Sequence, residues 1–170
     1  MANIEIPNSV TKIDSWVFYN CTSLTNVTIP NSITEISGRA FSGCCKLTNI
    51  TIPDSVTKIG DWAFGECTSL TNITIPNSVT EIGCRAFFGC SGLTSITIPS
   101  LVTEVGRTAF MECTNLHAIY SKNSNPPTTW EDAFIDMPDD ANLYVPKGSV
   151  EVYKQAEGWK DFTNIEEYNF

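Results

Sequence analysis

The apolar residues of the chain recur every 23 positions, in a unit that reads I-P-x-S-V-T-x-I-x-x-x-A-F-x-x-C-x-x-L-T-x-I-T. The phenylalanines that mark this period are Phe18, Phe41, Phe64, Phe87 and Phe110. A single unit is too short to bury its own apolar positions, whereas stacked units place each slot on the same slot of the next unit. The pattern therefore predicts a mainly β repeat solenoid with a continuous apolar core.

Two segments of each unit are typical of short parallel strands. The segment from Leu24 to Ile29 carries Val27 and Ile29 two positions apart with Thr28 between them, which indicates a strand with one buried face. Pro30 ends this strand because proline donates no backbone hydrogen bond. A second extended piece follows from Ile33 to Ile36, and Arg39 to Phe41 is typical of a helical or 3₁₀ turn. Since connections between parallel strands are right-handed in nearly all cases, we expect a right-handed coil with one main parallel sheet on one side, and short strands and turns on the other.

The repeats and the end of the chain are predicted to form a single domain. Residues 1–120 hold five 23-residue repeats, and residues 121–170 hold a degenerate sixth repeat and a C-terminal cap of one strand and a short helix. We expect Ser149 to cap the start of that helix and Gly158 to end it. We also expect Trp159 to close the open end of the core.

The region from Ile4 to about Ile119 resembles the BspA-like class of bacterial leucine-rich repeats. The specific parts are the I-P-x-S-V-T-x-I start, the A-F-x-x-C middle and the L-T-x-I-T strand. The tail from Leu143 to Trp159 is similar to the carboxy-terminal cap of such proteins. The resemblance implies a secreted, extracellular or cell-surface protein without enzymatic activity, often an adhesin. The amino terminus shows neither the basic nor the apolar segment of a secretion signal, so this localisation is inferred from the resemblance.

Composition argues against several classes of function. Ten basic residues against nineteen acidic ones give a net charge of −9, whereas binding to phosphates needs clustered cations, so we expect no nucleic-acid partner. No apolar run is long enough to span a bilayer, so we expect no membrane insertion. The chain has a single histidine, His117, and no C-x-x-C pair. We therefore predict no metal site, no cofactor and no catalytic residues, and a protein that is not an enzyme.

Seven cysteines raise the question of disulfide bonds, and five of them share one core slot at the 23-residue period. Successive coils hold equivalent Cβ atoms about 4.8 Å apart, which exceeds the ~3.8 Å of a disulfide. We therefore expect these five to be free thiols that pack as small apolar residues. The two others, Cys45 and Cys84, occupy outward slots, where oxidation or pairing between chains stays open.

Two outward-facing sets of residues are candidates for ligand binding. The first, the Trp/Arg ladder, alternates indole and guanidinium groups and consists of Trp16, Arg39, Trp62 and Arg85. Stacking between these groups is worth about 0.5–1 kcal/mol per exposed contact, so the ladder either stacks a ligand or only stabilises the coil. The second, the sheet face, is the solvent side of the main sheet and consists of Asn26, Thr28, Asn49, Thr51, Asn72, Thr74 and Thr97. It is the usual partner surface of a solenoid, although such polar columns also occur where they only satisfy a sheet.

The sequence favours a recognition or adhesion module that binds protein or glycan through a repeat surface. The suspected partner is a host matrix protein, a cell-surface protein or a glycan. Two alternatives stay open: a structural spacer in a longer surface array and, more remotely, ice binding through the threonine columns. Because no polar cap precedes Ile4, the amino-terminal end is typical either of a cut through a longer array or of an end that associates with a second copy.

Overall fold

Apolar side chains at alternate positions make each repeat fold as short strands that point these side chains inward. The computed structural model describes residues 2–170. Its elements in chain order are β1 (Ala2–Glu5), β2 (Leu24–Thr28), β3 (Glu35–Ile36), β4 (Asn49–Thr51), β5 (Lys58–Ile59), β6 (Glu81–Ile82), β7 (Ser95–Ile98), β8 (Glu104–Val105), β9 (Ala118–Ser121), β10 (Asn142–Pro146), α1 (Val150–Tyr153) and β11 (Asn164–Tyr168). Every strand pair within this region is parallel, which confirms the predicted mainly β solenoid.

The main side of the solenoid is two sheets rather than the single sheet that the sequence predicts. One has the order β1-β2-β4 and the other β11-β10-β9-β7, while β3-β5-β6-β8 runs along the opposite side. Between the two main sheets, the strand of the next repeat shrinks to one bridge, from Thr51 to Thr74. The apolar core is continuous across this gap, because Ile73 and Ile96 on its two sides are both buried.

The phenylalanines form a column through the centre of the solenoid, as the period predicts. Successive rings from Phe18 to Phe110 are stacked, with centroids 5.2 to 5.6 Å apart and planes within 11° of parallel. Phe134 of the degenerate repeat continues the column at 5.6 Å from Phe110. Equivalent side chains of consecutive coils therefore lie on top of one another.

The cysteine slot forms a second column, and its thiols are free as predicted. Each buried thiol also donates a hydrogen bond that the sequence does not reveal, to the phenylalanine carbonyl of the preceding coil. The Sγ to O distances are 3.1 Å from Cys44 to Phe18 and 3.0 Å from Cys90 to Phe64. Burial raises the pKa of Cys44 to about 12, so this thiol stays protonated and remains a donor near neutral pH.

We expect Ellman's reagent to divide the seven thiols of the folded protein into two groups, because it reacts with accessible thiolates. The partly exposed thiols, which should react promptly, are Cys21, Cys45 and Cys84. The buried thiols, which should react only after unfolding in guanidinium chloride, are Cys44, Cys67, Cys90 and Cys113. Prompt reaction of all seven in native buffer would contradict the buried thiol column.

The helix of the cap begins directly after Ser149, as predicted, but it lacks the expected side-chain cap and ends earlier than expected. Ser149 makes no side-chain capping hydrogen bond. Its backbone is in the helical region, with φ −99° and ψ −8°, whereas a capping serine needs an extended backbone to reach the first amides. The helix ends at Tyr153, one turn after it begins, so Gly158 does not end it. Gly158 instead has a φ of +72° in a later turn.

Trp159 closes the open end of the core, as predicted. Its side chain is fully buried, its ring centroid lies 4.9 Å from that of Phe134, and its Nε1 donates a hydrogen bond of 2.8 Å to the Pro127 carbonyl. Phe162 packs beside it, 5.1 Å from Phe134 between centroids. The cap therefore covers the last ring of the phenylalanine column and anchors the preceding loop.

Candidate functional site

The Trp/Arg ladder forms on the side of the solenoid where each coil turns sharply. Arg39 and Trp62 both have a left-handed backbone there, with φ of 57° and 58°. The Arg39 guanidinium carbon lies 4.5 Å from the Trp16 ring centroid and 4.6 Å from that of Trp62. Arg85 lies 5.2 Å from the same Trp62 ring. Trp62 is therefore stacked between two guanidinium groups, which occupy the ring faces that a ligand would use.

We expect the ladder to show direct coupling in a double-mutant cycle. Combining Arg39→Met with Trp62→Ala should give a coupling energy of about 0.5–1 kcal/mol in urea unfolding, because the cycle isolates the contact between the two groups. The control cycle combines Arg85→Met with Trp16→Ala, two residues that belong to coils that are not adjacent. It should show coupling near zero. Equal coupling in the two cycles would mean that stacking within the ladder contributes nothing specific.

The side chains of the sheet face point outward in register. Asn26 pairs with Asn49 and Thr28 with Thr51 across β2 and β4, and these side chains are exposed. Within residues 2–170, none of the sheet-face side chains makes an intramolecular hydrogen bond. These hydroxyl and amide groups are therefore free to bind water or a ligand.

Some threonines of other columns behave differently, because their hydroxyls bond to the preceding coil. Thr48 Oγ1, beside the sheet face, donates to the Thr25 carbonyl at 3.3 Å. On the opposite side of the solenoid, Thr80 Oγ1 donates to the Thr57 carbonyl at 3.2 Å. These hydrogen bonds stabilise the stack of coils. The hydroxyl and amide groups of the sheet face take no part in them and stay available to a ligand.

A group of tyrosines that the sequence interpretation missed continues the sheet face. We call Tyr120, Tyr144 and Tyr168 the tyrosine platform. Thr97 pairs in register with Tyr120, and Tyr120 pairs with Tyr144. The Tyr120 and Tyr144 rings are stacked with centroids 4.7 Å apart, and Tyr168 meets them edge-on at 5.1 and 5.7 Å. The sequence does contain a sign of this continuation, because Tyr120 follows Thr97 by one repeat period of 23 residues.

His117 is exposed on the surface, and its Nδ1 lies 3.4 Å from the Asp140 carboxylate. Among residues 2–170, no group of three or more histidine, cysteine, aspartate or glutamate side chains is placed to hold a metal ion. No helix in this range is long and apolar enough to cross a membrane.

Comparisons with solved structures find bacterial leucine-rich repeat proteins. The chain is similar to one from Bacteroides ovatus, with 27% identity, a TM-score of 0.63 and coverage of 84% of this chain and 47% of the other. It has the fold of the pneumococcal vaccine antigen PcpA, at 21% identity and a TM-score of 0.81, with coverage of 99% and 42%. It also has the fold of a leucine-rich cell surface protein from Faecalibacterium prausnitzii, at 23% identity and a TM-score of 0.60, with coverage of 99% and 48%. The chain thus spans less than half the length of each of these proteins.

A search of curated proteins finds no significant match. The family model for the BspA type leucine-rich repeat region, by contrast, matches residues 1–119 in six copies. This match covers most of the chain and coincides with the stacked coils and their phenylalanine and cysteine columns. The chain therefore belongs to the BspA type leucine-rich repeat family.

Proposed function

We propose that the chain is a recognition module, displayed outside the cell, that binds a protein or a glycan through the sheet face. The observation that supports this most is the set of exposed hydroxyl and amide groups in register, such as Thr28 with Thr51, that the fold does not use. Solenoids typically bind partners along an extended repeat surface of this kind. Catalysis and a bound cofactor are not part of the proposal.

The sheet face suits a partner better than the Trp/Arg ladder does. Arg39 and Arg85 already lie on the Trp62 ring, so a ligand would have to displace them before it could stack there. A ligand on the sheet face displaces only water. Ice binding is not favoured, because the main sheet is interrupted between Thr74 and Thr97 and a flat, regular threonine array is lost.

Display at the cell surface is supported by the family and by one of the structural relatives. The protein from Faecalibacterium prausnitzii is described as a leucine-rich cell surface protein, and this chain shares its fold over 99% of its length. The net charge of −9 keeps such a surface protein soluble. Surface exposure of the chain would be tested by protease shaving and antibody labelling of intact cells that produce it.

We expect the wild-type chain to bind at least one member of a panel of fibronectin, collagen and neutral polysaccharides in biolayer interferometry. Thr51→Lys combined with Thr74→Lys places two long charged side chains on the sheet face, where both threonines are exposed. Binding should fall by about tenfold or more, as expected for a change near the centre of an interface.

The matched control is Asn31→Lys combined with Asn77→Lys, which adds the same charge at exposed positions outside the sheet face. This control should bind like the wild type. Equal loss in both double variants would show that added charge, and not the sheet face, governs binding. A wild-type chain that binds nothing in the panel would favour the structural spacer instead.

A further inference from the structure

The Tyr120 side chain follows Thr97 in the column of short polar side chains on the sheet face. One face of its ring is covered by Tyr144, with centroids 4.7 Å apart. The strand on its other side carries Thr97 in register, about 4.8 Å away as in any sheet. Because a tyrosine ring extends well beyond a threonine side chain, Thr97 is too short to cover the outer part of this second face, and Tyr120 is only half-buried.

The polar tips of the platform are also unused by the fold. Within residues 2–170, the hydroxyls of Tyr120, Tyr144 and Tyr168 make no intramolecular hydrogen bond. The buried Tyr153 hydroxyl, by contrast, lies 2.6 Å from Ser121 Oγ and donates to the Asn123 carbonyl at 2.8 Å. The platform therefore offers apolar ring surface together with free hydroxyl groups.

The aromatic surface extends beyond the strands towards the chain end. Tyr168 and Phe170 are 44% and 50% exposed, and their ring centroids are 5.1 Å apart. A contiguous exposed patch of large apolar side chains usually marks an interaction site. Packing within the cap does not require these rings at the surface, since Trp159 and Phe134 already close the core.

The charge around the platform favours a neutral ligand. The side chains that continue the sheet face towards Tyr120 are uncharged, as at Ser95, Thr97 and Asn142. Glu166 pairs in register with Tyr144, and Lys122 Nζ lies 5.9 Å from the centroid of the Phe170 ring. One charge of each sign therefore lies beside the platform, so neither an acidic nor a basic ligand is favoured there.

We propose that the tyrosine platform stacks a sugar ring of a neutral polysaccharide, whose chain continues over the Ser95 and Thr97 hydroxyls of β7. A neutral hexose has an apolar C–H face and a rim of hydroxyls, which match the open Tyr120 face and the polar side chains beside it. The inference rests on the proposed function, because it names the ligand class for one end of the same face.

The test is native affinity electrophoresis of the full chain in gels that contain mannan, galactomannan, xyloglucan or amylopectin. Wild-type migration should be retarded by at least one of them. Tyr120→Ala removes the ring, and Thr97→Lys covers its open face without changing any tyrosine. Each variant should weaken binding by about tenfold, as loss of a well-placed aromatic contact does.

Two controls separate stacking from a general loss of structure. Tyr120→Phe keeps the ring and should bind within about threefold of the wild type, since only one hydroxyl is lost. Tyr19→Ala removes another exposed tyrosine, 42% exposed at the opposite end of the solenoid, and should have no effect. Circular dichroism spectra of all variants should match that of the wild type.

Three results would overturn the proposal. Polysaccharide binding that survives both Tyr120→Ala and Thr97→Lys would place the sugar elsewhere. Binding to fibronectin or collagen that is lost in the Thr51 and Thr74 double variant, without binding to any polysaccharide, would leave the proposed function standing but make the ligand a protein. Absence of binding to the polysaccharides and to both proteins would remove the inference and the proposed function together.

Discussion

Phe87→Ala is expected to lower the free energy of unfolding by about 3–5 kcal/mol, the usual cost of removing a buried phenylalanine. The ring is fully buried and lies between Phe64 and Phe110, at centroid distances of 5.5 and 5.4 Å. Both neighbouring rings are held by their own coils and cannot move in to fill the space. The substitution therefore leaves a cavity and interrupts the central column.

The adjacent residue provides the matched control. Phe88 is only partly buried, and its ring contacts Trp62 on the outside of the coil at a centroid distance of 5.1 Å. Phe88→Ala should cost about 1 kcal/mol, a typical value for a partly exposed position. Urea unfolding followed by circular dichroism measures both variants. Similar losses at the two positions would contradict the inward orientation of Phe87.

Trp159→Ala should have the second large effect, also about 3–5 kcal/mol by the same mechanism. Beyond the cavity, the substitution leaves the Pro127 carbonyl without its 2.8 Å hydrogen bond, and a buried unpaired acceptor adds to the cost. It also uncovers Phe134, the last ring of the phenylalanine column. Because terminal coils of solenoids need a cover to remain soluble, the variant should also aggregate on warming.

Trp130→Ala is the control for this prediction, because Trp130 lies in the same part of the chain but is 52% exposed. Its ring contacts the Arg107 guanidinium at 5.6 Å, so its loss should cost about 0.5–1 kcal/mol. Thermal unfolding measures the stability of both variants, and size-exclusion chromatography shows whether they stay monomeric. A Trp159→Ala protein that stays monomeric and unfolds at the wild-type temperature would show that the cap does not seal the core.

The columns could be predicted from the sequence because periodicity alone determines them. Once coils stack in register, Phe41 must lie on Phe64, and Arg39 must lie between Trp16 and Trp62. The structure confirms both arrangements. The free state of the core thiols follows from the same spacing, which is too wide for a disulfide.

The end of the chain could not be predicted as well, because its residues do not repeat and no column places them. Strand β11 was missed because almost all of its side chains are exposed. Its sequence therefore shows no regular alternation of apolar and polar residues. The helix begins after Ser149 as expected, but it ends at Tyr153, before Gly158. The break in the main sheet at Thr74 depends on backbone pairing, which the side-chain pattern does not encode.

The residues of the sheet face could be predicted from the sequence, but the unused state of their hydrogen-bonding groups appears only in the structure. Threonines occupy several columns of the repeat, and the sequence treats them alike. The fold uses Thr48 and Thr80 to bond successive coils and leaves Thr51 free. The tyrosine platform was missed because Tyr144 lies in the cap and follows Tyr120 by 24 residues instead of 23, so the repeat period does not connect the two rings.

A crystal structure of the chain would test most directly the claim that equivalent side chains of consecutive coils stack in columns. We predict six phenylalanine rings in one file, from Phe18 to Phe134, with centroid separations of 5.2 to 5.6 Å. Rings that point in different directions, or coils that are offset so that these residues do not meet, would contradict the architecture and the binding surfaces inferred from it.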